Sequence, residues 1–158
     1  MVEPRVLVVL FSVLLACADE GGPVDDPSCS TGVRWSGGGD SPMMHPGRDC
    51  NGCHGKGVAR VFDVVGTIYD VPHEKDECFG IPDVTVRLQG ADARVLELVT
   101  NDAGNLEREQ ADVASPYTVV LELEGRQLTG VTPHDDLDCA GCHTREGERG
   151  AAGRILAP

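Results

Sequence analysis

One short cysteine–histidine motif occurs twice in this chain, and the repeat constrains what it can fold into more than any other feature. Cys50–His54 reads C-N-G-C-H, and Cys139–His143 reads C-A-G-C-H. The match extends upstream, because His45–His54 and His134–His143 both follow the pattern H-x-x-x-D-C-x-G-C-H. The sequence therefore places two thiols and one imidazole close together at each copy.

The spacing of the motif predicts covalent attachment of a c-type haem at each copy. Two thiols add to the two vinyl groups of one porphyrin, and the adjacent imidazole then reaches the iron from the same side. We therefore expect two covalently bound haem c groups. The predicted attachment residues are Cys50, Cys53, Cys139 and Cys142, and the predicted proximal iron ligands are His54 and His143.

A sixth iron ligand is expected upstream of each motif. The candidates are Met43, Met44 and His45 for the first haem and His134 for the second, with His73 a weaker one. His45 and His134 lie at the same offset from their cysteine pairs, which favours two histidine ligands at both irons. The choice matters because methionine opposite histidine raises the reduction potential of a haem. An iron with six ligands favours electron transfer, whereas an open position would admit peroxide.

Two other readings of the cysteine pairs stay open. Four thiolates suit a tetrahedral structural zinc ion, although zinc requires no histidine after each pair and the gap between the pairs is long for a zinc ribbon. Each pair is also able to form a small-loop disulfide in an exported protein.

The beginning of the chain resembles a bacterial lipoprotein export signal. Val6–Leu15 is an apolar run of the length of a signal-peptide core, and it is short for a membrane span. Residues 14–17 read L-L-A-C and resemble a lipobox, which implies cleavage before Cys17 and lipidation of that residue. Ordinary cleavage after Ala18 is the alternative. We expect a signal peptide over residues 1–16 and a lipid-anchored protein, with Asp19 favouring the outer membrane.

The charge of the chain narrows the class of partner. The formal net charge is −13, so nucleic acid is disfavoured, because phosphate binding needs a basic surface. An acidic surface suits basic redox proteins that associate in a salt-sensitive manner. Aromatic residues make up only 4% of the sequence, so a core must come from Val, Leu and Ile, with haem as additional apolar filling.

Residues 17–42 are rich in Gly, Asp, Pro and Ser, which predicts a flexible tether. Trp35 is the one aromatic residue in this segment, and it either docks onto the domain or faces solvent. Besides Cys17, two cysteines fall outside the motifs, Cys29 and Cys78, and they form either a disulfide or two free thiols.

Residues 61–132 carry the pattern of short β-strands separated by turns. Val84–Leu88 alternates apolar and polar side chains, as does Tyr117–Leu123. Two more strands are expected around Gly66 and over Arg94–Thr100. The sequence Asn101–Asn105 indicates a turn, and a tight turn at residues 124–125 leads into a last strand. This spacing predicts a small β-sandwich, whereas the tail to Pro158 is expected to be irregular.

Three segments in this region resemble the carboxypeptidase-regulatory-like, prealbumin-type β-sandwich. They are Val65–Tyr69, Pro82–Leu88 and Thr100–Asn105, followed by a strand that starts at Pro116-Tyr117. Many such modules have an aromatic residue after the turn, where this chain has Leu106. Residues 43–154 as a whole resemble small exported bacterial proteins in which two C-x-x-C-H motifs bracket such a sandwich. The resemblance implies a fold and no activity of its own.

These observations predict a mainly β protein, with a small immunoglobulin-like or prealbumin-type β-sandwich flanked by irregular haem-binding segments. The first haem segment is residues 43–60, the sandwich residues 61–132, and the second haem segment with the tail residues 133–158. The expected function is electron transfer by a membrane-anchored dihaem c-type cytochrome at the bacterial cell envelope, facing the periplasm or in the outer membrane. The alternative is a β-sandwich binding or structural lipoprotein whose cysteine pairs hold zinc or disulfides. Enzymatic activity is not expected, except peroxidase-like activity if an iron has an open site.

Overall fold

A computed structural model describes residues 21–38, 41–58 and 60–158. Cys17 and the predicted signal peptide over residues 1–16 lie outside the described residues.

The described chain is mainly β, with a short helical segment at the first cysteine motif. This confirms the predicted fold class. The helical segment consists of α1 (Cys50–Cys53) and a wider helical turn over His54–Val58. The strands are β1 (Gly22–Asp25), β2 (Val33–Ser36), β3 (Val64–Tyr69), β4 (Thr85–Gly90), β5 (Val95–Val99), β6 (Asn105–Arg108), β7 (Tyr117–Leu123), β8 (Arg126–Thr129) and β9 (Ile155–Leu156). Within these described ranges, no helix has the length and apolar character needed to cross a bilayer.

A four-stranded antiparallel sheet forms one layer, in the order β5-β4-β7-β8. Val86 of β4 pairs with Leu98 on one side and with Leu121 on the other, so the three apolar side chains lie on the same face of the sheet. The strands β7 and β8 are joined by the two-residue turn at Glu124 and Gly125, both with positive φ, as expected for a tight hairpin.

The second layer is a three-stranded sheet in the order β6-β3-β9, with β3 at its centre. The central strand pairs antiparallel with β6 and parallel with the short β9, through Ile68 opposite Ile155 and Tyr69 opposite Leu156. The tail, expected to be irregular, thus contributes two residues, Ile155 and Leu156, that extend this sheet.

The hydrophobic core lies between these two sheets, as in a β-sandwich. Buried residues from β3 and β6 pack against buried residues from β4, β5 and β7, and fully burying one such side chain stabilises the fold by roughly 1.5–3 kcal/mol. The core consists of Val64, Ile68, Val84, Val86, Leu88, Leu98, Leu106, Tyr117 and Leu121.

A third, two-stranded sheet covers part of the segment that the sequence predicts to be a flexible tether. The strands β1 and β2 pair as an antiparallel hairpin, and Trp35 on β2 is only 4% exposed. Its indole packs with Phe79 and Ala103, and a disulfide joins Cys29 to Cys78. Residues 22–36 are therefore docked onto the domain. Their composition is compatible with this, because Gly, Pro, Asp and Ser suit the turns of a hairpin as well as a linker.

Candidate functional site

The two cysteine motifs have the same local structure at their start, because the preceding aspartate caps each one. The side chain of Asp49 accepts a hydrogen bond from the backbone N–H of Gly52 at 2.8 Å. The side chain of Asp138 accepts one from the N–H of Gly141 at 3.2 Å. Capping by an aspartate satisfies N–H groups that have no partner within the first turn. This role explains why Asp occurs before the first cysteine of both copies.

The glycine before the second cysteine is explained by the same cap. A Cβ atom at Gly52 would lie 2.3 Å from Oδ2 of Asp49, closer than real Cβ contacts occur. At Gly141 the equivalent distance to Oδ2 of Asp138 is 3.3 Å, which is tight. The aspartate and the glycine in D-C-x-G-C-H therefore form one structural unit that orients the two thiols and the following histidine.

Both motif histidines are held by a backbone carbonyl through Nδ1. His54 Nδ1 donates to the carbonyl oxygen of Arg60 at 2.7 Å, and His143 Nδ1 donates to that of Gly153 at 2.8 Å. A carbonyl oxygen only accepts, so the proton of the neutral ring lies on Nδ1 and the lone pair lies on Nε2. This is the tautomer in which a histidine binds a metal ion through Nε2 while its other nitrogen is fixed by a second partner.

The two motifs lie side by side, at the beginning of β3. The side chain of Asn51 donates to the carbonyl oxygen of Phe62 at 2.9 Å and to Asp138 at 3.2 Å, and it accepts from Phe62 N–H at 3.1 Å. The N–H of Ala140 donates to the carbonyl oxygen of Val65 at 3.0 Å. Cys50 packs against Phe62, Val65 and Ala140, so both copies are attached to one strand and to each other.

Asn51 fills a variable position of the motif, and nothing in the sequence identified its role. Gly66 also matters here, because a Cβ atom at that position would lie 3.1 Å from Cβ of Cys139. The absence of a side chain at Gly66 therefore permits the second motif to lie close against β3.

Each motif lines its own cavity. The first cavity has a volume of about 430 Å³, and Cys50, His54 and Met44 are among its lining residues. The second cavity has a volume of about 730 Å³, and its lining includes the second motif and His134. Leu106 lines both cavities, so this one side chain on β6 forms part of the wall of each. The second cavity is continuous with the apolar core between the sheets, whose residues line much of it.

The thiols of the motifs are free, and in the first motif Cys50 is more shielded from solvent than Cys53. Burial raises the pKa of Cys50 to about 12, and the nearby carboxylate of Asp138 adds to the effect. Burial and the same carboxylate raise the pKa of Cys139 to about 12. Cys53 is exposed at the end of α1, and Cys142 is partly buried in the second cavity. The first thiol of each pair is therefore neutral at physiological pH.

The structure separates the candidates for the sixth ligand. Met44 lines the first cavity, whereas Met43 and His45 are not among the described residues that line it. The imidazole of His45 instead contacts the carboxylate of Glu77, with Nδ1 at 3.1 Å from Oε2. His73 is half exposed and donates from Nδ1 to the carbonyl oxygen of Arg145 at 2.6 Å.

Arg154 is a buried cation in the lining of the second cavity, and no pattern in the sequence distinguishes it from the other arginines. Its side chain is fully shielded from solvent, donates to the backbone carbonyl oxygens of Glu74 and Gly47 at 3.0 and 2.6 Å, and pairs with Asp76. Its guanidinium also lies over the ring of Tyr69, at 5.1 Å from the centroid. These contacts fix the segment that follows the second motif.

The donor set at each motif is what a covalently attached haem requires. Two thiols and an imidazole of the correct tautomer lie together at the second cavity, and Cys50 and His54 line the first with Cys53 one helical turn away. Among residues 21–38, 41–58 and 60–158, no group of three or more His, Cys, Asp or Glu side chains is positioned to hold a metal ion by itself. Comparison of the chain with protein families, curated proteins and solved structures finds no match in any of the three.

Proposed function

We propose that this protein is a dihaem c-type cytochrome that carries electrons at the bacterial cell envelope. The observation that carries the proposal is that both C-x-x-C-H motifs begin with the same aspartate cap and line separate cavities, and that a backbone carbonyl fixes the Nδ1 atom of each motif histidine. Haem bound at these positions supplies a one-electron carrier whose iron alternates between the ferrous and ferric states.

The role of the chain is to hold and orient such a group. The paired thiols fix it covalently, and the Asp–Gly caps orient the thiols. The Nε2 atoms of His54 and His143 are the proposed proximal ligands. Val86, Leu88 and Leu121 are among the apolar side chains that line the second cavity, and they would keep water away from a group bound there, which is a means of tuning its potential.

The adjacency of the two motifs supports transfer between two centres within one chain. Asn51 links the first motif to Asp138 before the second, and Leu106 belongs to the walls of both cavities. One electron enters from a reduced redox protein and leaves to an oxidised one. The net charge of −13 favours partners with a basic docking surface, whose association weakens as salt increases.

We further propose that Cys17 is lipidated. The lipid would anchor the protein to a membrane of the cell envelope, where the protein would face the periplasm or lie in the outer membrane. A Cys17→Ala variant is expected to move from the membrane fraction to the soluble periplasmic fraction. Retention of the variant in the membrane fraction would refute the anchor without touching the proposal for the haems.

The test of the main proposal is expression together with a c-type cytochrome maturation system, followed by a reduced-minus-oxidised visible spectrum and mass spectrometry of the denatured protein. Two covalent haems per chain are expected. The double variants Cys50→Ser/Cys53→Ser and Cys139→Ser/Cys142→Ser should each retain one. The matched control is Cys29→Ser/Cys78→Ser, which removes two cysteines outside the motifs and should retain both haems.

A protein without haem would overturn the proposal. Bound zinc, or disulfides within the motif pairs, would then support the alternative, a β-sandwich lipoprotein with a binding or structural role. A peroxidase activity would require a five-coordinate iron, which the visible spectrum of the ferric protein reports directly.

A further inference from the structure

We infer that the two haems have different sixth ligands, the thioether of Met44 at the first motif and the imidazole of His134 at the second. This inference rests on the proposed function, because it concerns the ligation of the haems proposed above. It replaces the expectation of two histidines at both irons, which rested only on the equal offsets of His45 and His134 in the sequence.

At the first motif, Met44 is the candidate that the fold places at the cavity. It lines the cavity together with Cys50 and His54, and its backbone carbonyl accepts a hydrogen bond from the side chain of Asn105 at 3.1 Å. Asn105 and Leu106, both on β6, line the same cavity. The segment bearing Met44 is thus anchored to a strand that forms the wall of the first cavity.

His45 is held elsewhere by a buried carboxylate. Glu77 is only 8% exposed, and both of its oxygens contact Nδ1 of His45, at 3.1 and 3.2 Å. Arg48 donates to the same carboxylate at 2.8 Å. Moving His45 to an iron would remove one of the groups that satisfy a buried charge, which is costly. Met43 and Met44 both pack against the cluster around Trp35, but only Met44 also lines the first cavity.

At the second motif, the fold places His134 and His143 on different layers of the sandwich, with the second cavity lined by both. The backbone of His134 pairs with Tyr117 of β7 through two hydrogen bonds of 2.8 Å. The backbone of the second motif pairs with β3 in the opposite sheet, through Ala140 and Val65. Both residues line the second cavity, so each sheet contributes one histidine to it. The ring of His134 lies beside that of Tyr117, with 5.9 Å between the ring centroids.

The unequal ligands predict unequal potentials. A thioether ligand stabilises ferrous iron relative to a second imidazole, so the haem at the first motif is expected to have the higher potential. A reductive titration of the holoprotein should therefore resolve two one-electron steps of equal amplitude.

The ligands are identified by spectroscopy on the full-length holoprotein and its variants. The wild-type ferric protein should show the sulfur-to-iron charge-transfer band in the red, and the ferrous protein should show a strongly shifted methionine methyl resonance. Both signals should disappear in Met44→Ala and persist in the matched control Met43→Ala. In Met44→His, the higher-potential step should move down towards the lower one.

The corresponding variants at the second motif are His134→Ala and its control His45→Ala. The first should convert one of the two ferric haems to a high-spin signal in electron paramagnetic resonance while keeping the methionine signals. The control should leave both haems low-spin. Counting haems in every variant by mass spectrometry separates loss of a ligand from loss of a haem.

Each result decides the matter. Two haems with methionine signals that depend on Met44, and a high-spin haem in His134→Ala, would establish the assignment. Two haems without a methionine signal, or a haem that becomes high-spin in His45→Ala, would overturn the ligand assignment and leave the proposed function intact. A protein without haem would overturn both.

Discussion

The disulfide between Cys29 and Cys78 gives the most direct test of how the β1–β2 hairpin is held. The double variant Cys29→Ser/Cys78→Ser opens a loop whose ends are 49 positions apart in sequence. In the chain-entropy model, closing a loop of this length lowers the entropy of the unfolded chain by about 14 cal/mol/K, equivalent to about 4 kcal/mol at 25 °C. We expect the free energy of unfolding to fall by about that amount.

The measurement is urea-induced unfolding of the holoprotein followed by far-ultraviolet circular dichroism, with linear extrapolation to water. Trp35 is the only tryptophan of the chain, so its emission reports the docking of the hairpin separately. The backbone N–H of Trp35 donates to the backbone carbonyl oxygen of Glu77 at 2.7 Å, and this bond does not require the disulfide. The indole of Trp35 should therefore stay buried in the folded variant. The control Val24→Ala, at a partly exposed position of the same hairpin, should change stability by less than about 1 kcal/mol.

A loss of less than about 1 kcal/mol in the double variant would refute this reasoning. It would mean that the disulfide does not restrict the unfolded chain as the loop length requires. A Trp35 emission typical of a solvated indole in the folded wild-type protein would show that the flexible tether is the better description of residues 22–36.

Three further predictions concern the motifs. Gly52→Ala should lower the free energy of unfolding by about 1 kcal/mol by displacing the aspartate cap. Gly55→Ala should have little effect, because its added Cβ would meet no atom within 4 Å beyond its chain neighbours and its own helix. Asn51→Leu should cost about 1–3 kcal/mol in thermal unfolding, because the backbone groups that it pairs would lose their partner. Protein prepared reduced and without haem should lose stability between about pH 9 and pH 12, because burial raises the pKa values of Cys50 and Cys139 to about 12.

The sign of the last prediction follows from proton binding. In the folded state the two thiols stay protonated up to about pH 12, whereas in the unfolded chain they ionise near their ordinary pKa of 9.0. The contribution of the two thiols to the free energy of unfolding is fully present below pH 9 and is lost as the pH rises towards 12. Replacing Cys50 and Cys139 by serine should flatten this part of the curve, and an unchanged slope would contradict the assignment. Equal stabilities of the Gly52→Ala and Gly55→Ala variants would contradict the prediction for the aspartate cap. An Asn51→Leu variant as stable as the wild type would contradict the prediction for Asn51.

The regular part of the sandwich was predictable because its signals are local. Alternating side chains mark Val84–Leu88 and Tyr117–Leu123, and the turn residues that separate the strands are adjacent in sequence. The strand β9 was not predictable, because its two residues become a strand only by pairing with β3. The hairpin was missed for the same reason: the burial of Trp35 depends on Phe79, which is far along the chain.

At the site, the motif residues were identifiable from spacing alone, and their surroundings were not. Equal offsets singled out His45 and His134 as candidate ligands. In the structure, however, the imidazole of His45 contacts the carboxylate of Glu77, which lies 32 positions away in the sequence. The side chain of Arg154 binds the carbonyl oxygen of Gly47, 107 positions away, and the side chain of Asn51 binds Asp138, 87 positions away. Roles that depend on such distant partners leave no periodic pattern in the sequence.

The shared attachment of the two motifs to β3 has a consequence for the order of assembly. Each motif is a local unit of a few residues, so in the proposed cytochrome each motif would take up its haem while the chain is still extended. The contacts between them join positions as far apart as Asn51 and Asp138, and such long-range contacts are the slow part of folding for a β protein. If the protein holds two haems as proposed, each site would be filled independently of the other. Only closure of the sandwich would then bring the two haems together.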